Sequence, residues 1–251
     1  MPYRNKISGL IPDFRTITLI IVYGLDRFNF RLKMTKKEYK EQFDEDDAVG
    51  WLAIDKKVEQ LYGDQKPRHY APPLHYILGG QDPLDGTSIY DSQKQEFHRH
   101  FISYGMSELY YNEDAAGAEF SKWGFEFTFR LKPFDEDGED PIWVINLMNN
   151  LARYVFESGK WFEPNHFIPA NGPIRLESKA DIGIVGVAFT PDPELGTIQT
   201  PNGEITFLQM VGLTANEIER LKENPKTDEV EKFLNELRIE NPLLISDLMR
   251  R

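Results

Sequence analysis

The chain of 251 residues is long enough for one large domain, and its 40% hydrophobic and 13% aromatic content supplies a core and excludes global disorder. It contains no cysteine, which excludes disulfides, thiolate metal sites and cysteine nucleophiles and fits a reducing, cytoplasmic setting. A net charge of −12 argues against nucleic acid as a partner, because phosphate contacts need clustered Lys and Arg, and favours a basic protein partner.

The charge is unevenly spread. Residues 1–33 carry six basic and two acidic side chains, so residues 34–251 hold a net −16. The apolar run at 17–22 is too short to span a membrane, and no signal-peptide core or cleavage site is clear. Met34, followed by TKKEYKEQFDEDD, reads as the natural start: residues 1–33 are then an extension outside the fold, and residues 34–251 form the domain.

Further along, Trp51, Ile54, Val58, Leu61 and Tyr62 form one helical stripe, with Asp46 or Asp47 as N-cap and Gly63 as terminator. Residues 74–78 (LHYIL) read as a strand that ends at Gly79-Gly80, before the turn dipeptides Asp82-Pro83 and Asp85-Gly86. Residues 97–132 read as two strands joined by a polar connection. In the first, Ile102, Tyr104, Met106 and Glu108 share one face, and Phe101, Ser103, Gly105, Ser107 and Leu109 the other. These small residues admit a close neighbour, at a corner or at a binding surface. In the second, Phe125, Phe127, Phe129 and Leu131 alternate with Glu126, Thr128, Arg130 and Lys132, which predicts a half-buried strand with its charged face outward.

After an acidic loop at 135–140, Asp140 and Pro141 open a helix striped by Val144, Leu147, Met148, Leu151, Val155 and Phe156 and closed by Gly159. Its Asn146, Asn149, Asn150 and Arg153 lie off the stripe, toward water. Residues 181–189 read as a strand interrupted by Gly183 and Gly186. Residues 198–200 and 204–213 form a hairpin around Pro201-Asn202-Gly203. A capping box from Thr214 to Glu217 opens a helix through Leu221, Asn224-Pro225 breaks it, and another helix covers 228–237. Helices and strands are interspersed without repeat or linker. The expected fold is a single α+β domain with a mixed, mainly antiparallel sheet flanked by helices.

Residue chemistry alone yields no enzyme. No phosphate loop, dinucleotide fingerprint or nucleophile elbow occurs, and no cofactor is implied. His98 and His100 stand two apart and could form a metal pair with Asp82, Asp85 or Glu108, but no supporting ligand spacing accompanies them. A metal-dependent enzyme is the weakest reading.

Five segments in order, LGGQDPLDGTSIYD, HRHFISYGMSELY, WGFEFTFRLK, LARYVFESGKWF and TPNGEITFLQMVGLT, resemble the Suppressor of fused family domain from about Trp51 to Leu213, and the tail LLISDLMRR echoes the family's end. The resemblance implies an α+β domain whose animal member is a cytoplasmic binding protein. That member sequesters Gli-type transcription factors by holding a short peptide, with strand pairing, between this domain and a second one. The connection NEDAAGAEFSKW is shorter than the animal pattern and has Ala118-Glu119 near the place of its aspartate. Single-domain bacterial members include immunity proteins, so the resemblance implies a protein that binds and neutralises a cognate polymorphic toxin, probed first as a basic toxin domain encoded nearby. The alternative is a regulator that captures an extended peptide by strand addition. Tyr110 matches the family tyrosine closing the SELY block. The contact residues expected on this basis are Tyr104, Glu108, Tyr110, Glu119 and the outward row Glu126, Thr128 and Arg130.

Overall fold

The computed structural model describes residues 34–251, so the expected extension at residues 1–33 lies outside the described residues. Thr35 opens α1 (Lys36–Gln42) with a reciprocal capping box to Glu38; only Tyr39 of this helix is buried, too little to leave a periodic signal. In α2 (Val49–Tyr62), Ile54 and Val58 are buried, and the helix stops at Gly63, where φ is 60°. Its start differs from expectation. Ala48 holds the N-cap position, and Asp47 uses its carboxylate to accept from the N–H of Asp44, 2.8 Å away.

The strands are β1 (Arg68–Tyr70), β2 (Gly86–Ser92), β3 (His98–Tyr104), β4 (Phe120–Leu131), β5 (Phe167–Pro169), β6 (Ile184–Pro191), β7 (Thr197–Thr200) and β8 (Gly203–Thr214). They form one sheet in the order β1-β2-β3-β4-β8-β6-β5, with β7 paired to β8. All pairings are antiparallel except the central β4–β8 pair. The expected α+β architecture with a mixed, mainly antiparallel sheet is therefore present.

Helices cover both faces. On one, Val144, Met148, Leu151 and Val155 of α3 (Ile142–Ser158) pack over Phe127, Phe129, Phe189 and Met210. Each large side chain buried there contributes roughly 1.5–3 kcal/mol through removal from water. On the other face, α2 sits over Tyr90, Ile102, Tyr104 and Phe207. Beside it, α4 (Ala215–Glu223) and α5 (Thr227–Glu240) cover Ala188, Val211 and Leu213. Thr214 and Glu217 form the expected capping box, and Gly159 closes α3 at φ 68°. The start of α3 lies one residue later than expected, with Pro141 in the N-cap position. Asp140 does not cap it, because its carboxylate accepts from Arg68 Nε and the Tyr70 hydroxyl, each at 2.7 Å.

Residues 74–78 do not form the expected strand. They carry a single 3-10 turn (Tyr76–Leu78) that ends at Gly79 with φ 96°. The edge beside β2 is taken instead by β1, drawn from the preceding proline-bearing connection and registered Arg68 to Ile89. With no strand to pair, the apolar side chains of the turn stay in solvent: Ile77 is 90% and Leu78 68% exposed.

Candidate functional site

The polar row of β4 is the clearest correction to the sequence reading. Glu126, Thr128 and Arg130 do not look outward; each is fully buried, as is Tyr104 on β3. The alternation is real, but α2, the β6–β7 turn and the C-terminal tail cover the face that a two-layer arrangement would leave wet. Such burial is costly, and it is offset by the ion pairs and hydrogen bonds these side chains make with buried neighbours.

Arg130 is the centre of that network. Its Nη2 donates to both oxygens of Asp192, at 3.0 and 3.1 Å, and its Nη1 lies 2.9 Å from Glu194 Oε2 and 3.0 Å from His98 Nε2. Thr128 Oγ1 donates to Asp192 at 3.1 Å, and the N–H groups of Glu194 and Leu195 each donate to Asp192 at 2.9 Å. His100 lies 2.7 Å from the Tyr62 hydroxyl through Nδ1 and 3.1 Å from Asp192 through Nε2. Burial, reinforced by Arg130, pushes His100 down to about 4, so it is neutral at pH 7. Burial works against the Asp192 carboxylate, yet His100, Arg130 and the N–H of Leu195 hold it well below the usual range. His98 and His100 do share a face, as their spacing implies. Arg130 lies against His98, and the acidic side chain that approaches His100, Asp192, is already paired with that guanidinium.

Glu126, two residues earlier on the same row, shapes the loop after β3. Its carboxylate accepts from Ser103 Oγ and Ser107 Oγ, both at 2.6 Å, and from the N–H groups of Gly105 (3.0 Å), Met106 (3.3 Å) and Ser107 (2.9 Å). Burial nonetheless raises its carboxyl above the ordinary value. This explains the run of small residues. Gly105 takes φ 131° and a Cβ there would stand 2.9 Å from the N of Asp85, so only glycine lets the loop pass this close. Gly50 in α2 has the same role one step on: its added Cβ would meet the Glu108 carbonyl oxygen at 2.0 Å.

The loop delivers Glu108 and Tyr110 to an open groove of about 670 Å³. Tyr76, Ile77, Leu78, Leu109 and Phe156 supply apolar walls, and Asp85 and Lys122 the charges. Asp85 accepts or shares a proton with His75 Nδ1 at 2.8 Å, while burial and the Asp85 carboxylate raise the Tyr110 phenol. Asn202 pins this margin: its Nδ2 donates to the carbonyls of Glu108 (3.0 Å) and Tyr110 (3.1 Å), and its Oδ1 accepts from the Tyr39 hydroxyl at 2.7 Å. In the sequence Asn202 was legible only as a turn residue.

Of the seven expected contact residues, the structure therefore brings Glu108 and Tyr110 to the groove and leaves Glu119 exposed on the adjoining connection. Tyr104 stacks on Trp51 at 4.4 Å and donates to Asp55 Oδ1 at 2.9 Å, a helix-to-sheet link. Tyr104, Glu126, Thr128 and Arg130 support the surface from beneath and cannot touch a partner. The groove residues that sequence reasoning missed are Tyr76, Ile77, Leu78, Lys122 and Phe156. The first three gave no distinguishing signal, since the short apolar run between Pro72-Pro73 and Gly79-Gly80 has the length of an ordinary strand. Lys122 had none either: it adopts φ 54°, which costs about 1 kcal/mol in a non-glycine residue, and donates to the Gly105 carbonyl at 3.0 Å.

Comparison with known proteins places this geometry. Residues 80–251 match the family model described as Suppressor of fused protein (SUFU). The Suppressor of fused homologue of Homo sapiens is 37% identical over 181 residues, 67% of this chain and 36% of the relative; that of Mus musculus is 36% identical over the same extent. The chain thus spans little more than a third of the length of these relatives. Among solved structures, a chain of a Sufu–Fu complex superposes with a TM-score of 0.71 at 29% identity, covering 81% of this chain and 91% of that one. Drosophila Suppressor of Fused gives 0.70 at 28% identity, covering 81% and 51%. Among the described residues, no helix is long and apolar enough to cross a membrane.

Proposed function

The chain belongs to the Suppressor of fused family, and from that premise we propose that it is a protein-binding domain whose contact surface is the groove bordered by residues 74–78, Glu108 and Tyr110. The observation that carries this is the exposure of Tyr76, Ile77 and Leu78 on a turn that buries none of its own residues, beside an Asn202-pinned margin. Apolar side chains so displayed around a concavity are the ordinary material of an interface. That a structural relative is found in a Sufu–Fu complex supports a protein as the occupant.

The finer reading is an immunity protein that binds and neutralises a toxin. Its support is the net −16 of residues 34–251, which steers and complements a basic domain of the kind many nuclease toxins present. Co-expression with the product of the adjacent gene tests it. A stoichiometric complex that suppresses toxicity and weakens between about 0.1 and about 0.5 M salt is expected. Adjacent genes that encode no toxin, with pull-downs that recover none, would retire the immunity role. The alternative is capture of an extended peptide by strand addition, for which the sheet has end strands at β1 and β5. Short extended peptides that bind as tightly as a folded partner would select that reading.

A further inference from the structure

Across Lys122 from the groove lies a second concavity, of about 450 Å³, and its walls are aromatic. Phe120 and Trp161 stand at its mouth, 54% and 52% exposed. Trp123, Phe125 and Phe162 form its inner wall, and Glu163 is at the rim. The rings of Trp123 and Trp161 are 6.5 Å apart and tilted by 39°, too separated to be a stacked core pair. The Glu163 carboxylate meets only His166, at 3.5 Å, and pairs with no Lys or Arg among the described residues. Lys122 also lines the box, but its Nζ is engaged on the groove side, 4.8 Å from the Phe156 ring centroid and 3.0 Å from the Gly105 carbonyl.

We infer that this box seats a cationic side chain, Lys or Arg, presented by the protein partner. The inference rests on the protein-binding reading and names the chemistry of one contact within it. Ring faces attract a cation electrostatically, by roughly 0.5–2 kcal/mol depending on desolvation. A carboxylate at the rim adds a charge that an apolar occupant would bury without compensation. The net −16 of residues 34–251 acts in the same direction at longer range.

The test uses the full chain and three probes: choline, its neutral isostere 3,3-dimethylbutanol, and N-acetyl-lysine methylamide. Binding is followed by tryptophan fluorescence and indole N–H resonances. Choline and the lysine amide are expected to bind at least about tenfold more tightly than the isostere. Glu163→Gln should weaken the two cations several-fold and leave the isostere unchanged. Trp161→Ala should abolish cation binding without shifting the melting temperature, since the ring is half exposed. Equal binding of choline and its isostere, or indifference to Glu163→Gln, overturns the inference. So does concentration-dependent self-association that Trp161→Ala removes, which would make the box a contact between copies. Partner capture that survives Trp161→Ala and Glu163→Gln would defeat the box and leave the proposed function standing. Cation-selective probe binding in a chain that captures no basic protein would do the reverse.

Discussion

Residues 126–130 of β4 and the 3-10 turn Tyr76–Leu78 occupy opposite extremes of exposure. On β4, Glu126, Thr128 and Arg130 are fully buried and each is bonded to a neighbour; on the turn, Ile77 and Leu78 lie in solvent with nothing to cover them. Polarity and depth are reversed in both places, for different reasons. The buried row depends on its neighbours, because each ionisable group is held by hydrogen bonds within the interior and loses heavily if they go. The exposed turn contributes little to the folded state and is available to something outside it. One region sets the shape of the margin, and the other is left exposed upon it.

Four measurements break or sharpen that contrast. The largest effect is expected from Arg130→Met, which strands Asp192 and Glu194 in the interior and should cost about 3–5 kcal/mol in urea denaturation. A loss below about 1 kcal/mol would mean the row is not a mutually dependent set.

Acid comes next. Because burial and Arg130 hold His100 down to about 4 in the fold, against an ordinary value near 6.5, the unfolded chain binds its proton first as pH falls. The stability held by the neutral ring is complete above pH about 6.5 and is lost as pH drops toward about 4, amounting to about 3 kcal/mol. His98, also lowered by burial, acts in the same direction. Glu126, raised by burial, acts in the opposite one, its contribution being lost as pH rises. His100→Gln should be less stable at pH 7 but should decline less between those limits. Parallel melting curves for the variant and the wild type would count against the assignment.

Glu126→Gln should cost about 2 kcal/mol, since an amide cannot accept from all five donors. Its distinguishing sign is faster amide exchange across residues 105–110. The smallest effect on stability, within about 0.5 kcal/mol, belongs to Ile77→Ser. Partner affinity should nevertheless fall at least about tenfold, as expected for a central apolar anchor. Unchanged affinity would move the interface away from the turn.

Much of the fold could be read from local rules. The capping box at Thr214, the glycine stops at Gly63 and Gly159 and the alternation along β4 all act over a few residues, and all appear where short-range chemistry puts them. The misreadings are tertiary. Asp140 looks like a cap until Arg68 and Tyr70, distant in sequence, claim its carboxylate. The Glu126 row looks like a wet face because its partners, Asp192 and the 103–107 loop, are set by the sheet's pairing and not by spacing. Of the groove, Glu108 and Tyr110 were legible through the family blocks. Tyr76, Ile77 and Leu78 were not, because their significance lies in the absence of a strand for them to join.

The central β4–β8 pair has a consequence for how the chain reaches this state. Leu131 and Gly203 are separated by 71 residues, so β4 emerges from the ribosome and can complete the β1–β4 meander well before its other neighbour exists. Until β8 arrives, Phe127 and Phe129 have only part of their final cover. Closing so distant a pair carries a large loop entropy, which places the slow step of assembly at the middle of the sheet and the interval of greatest exposure to aggregation just before it.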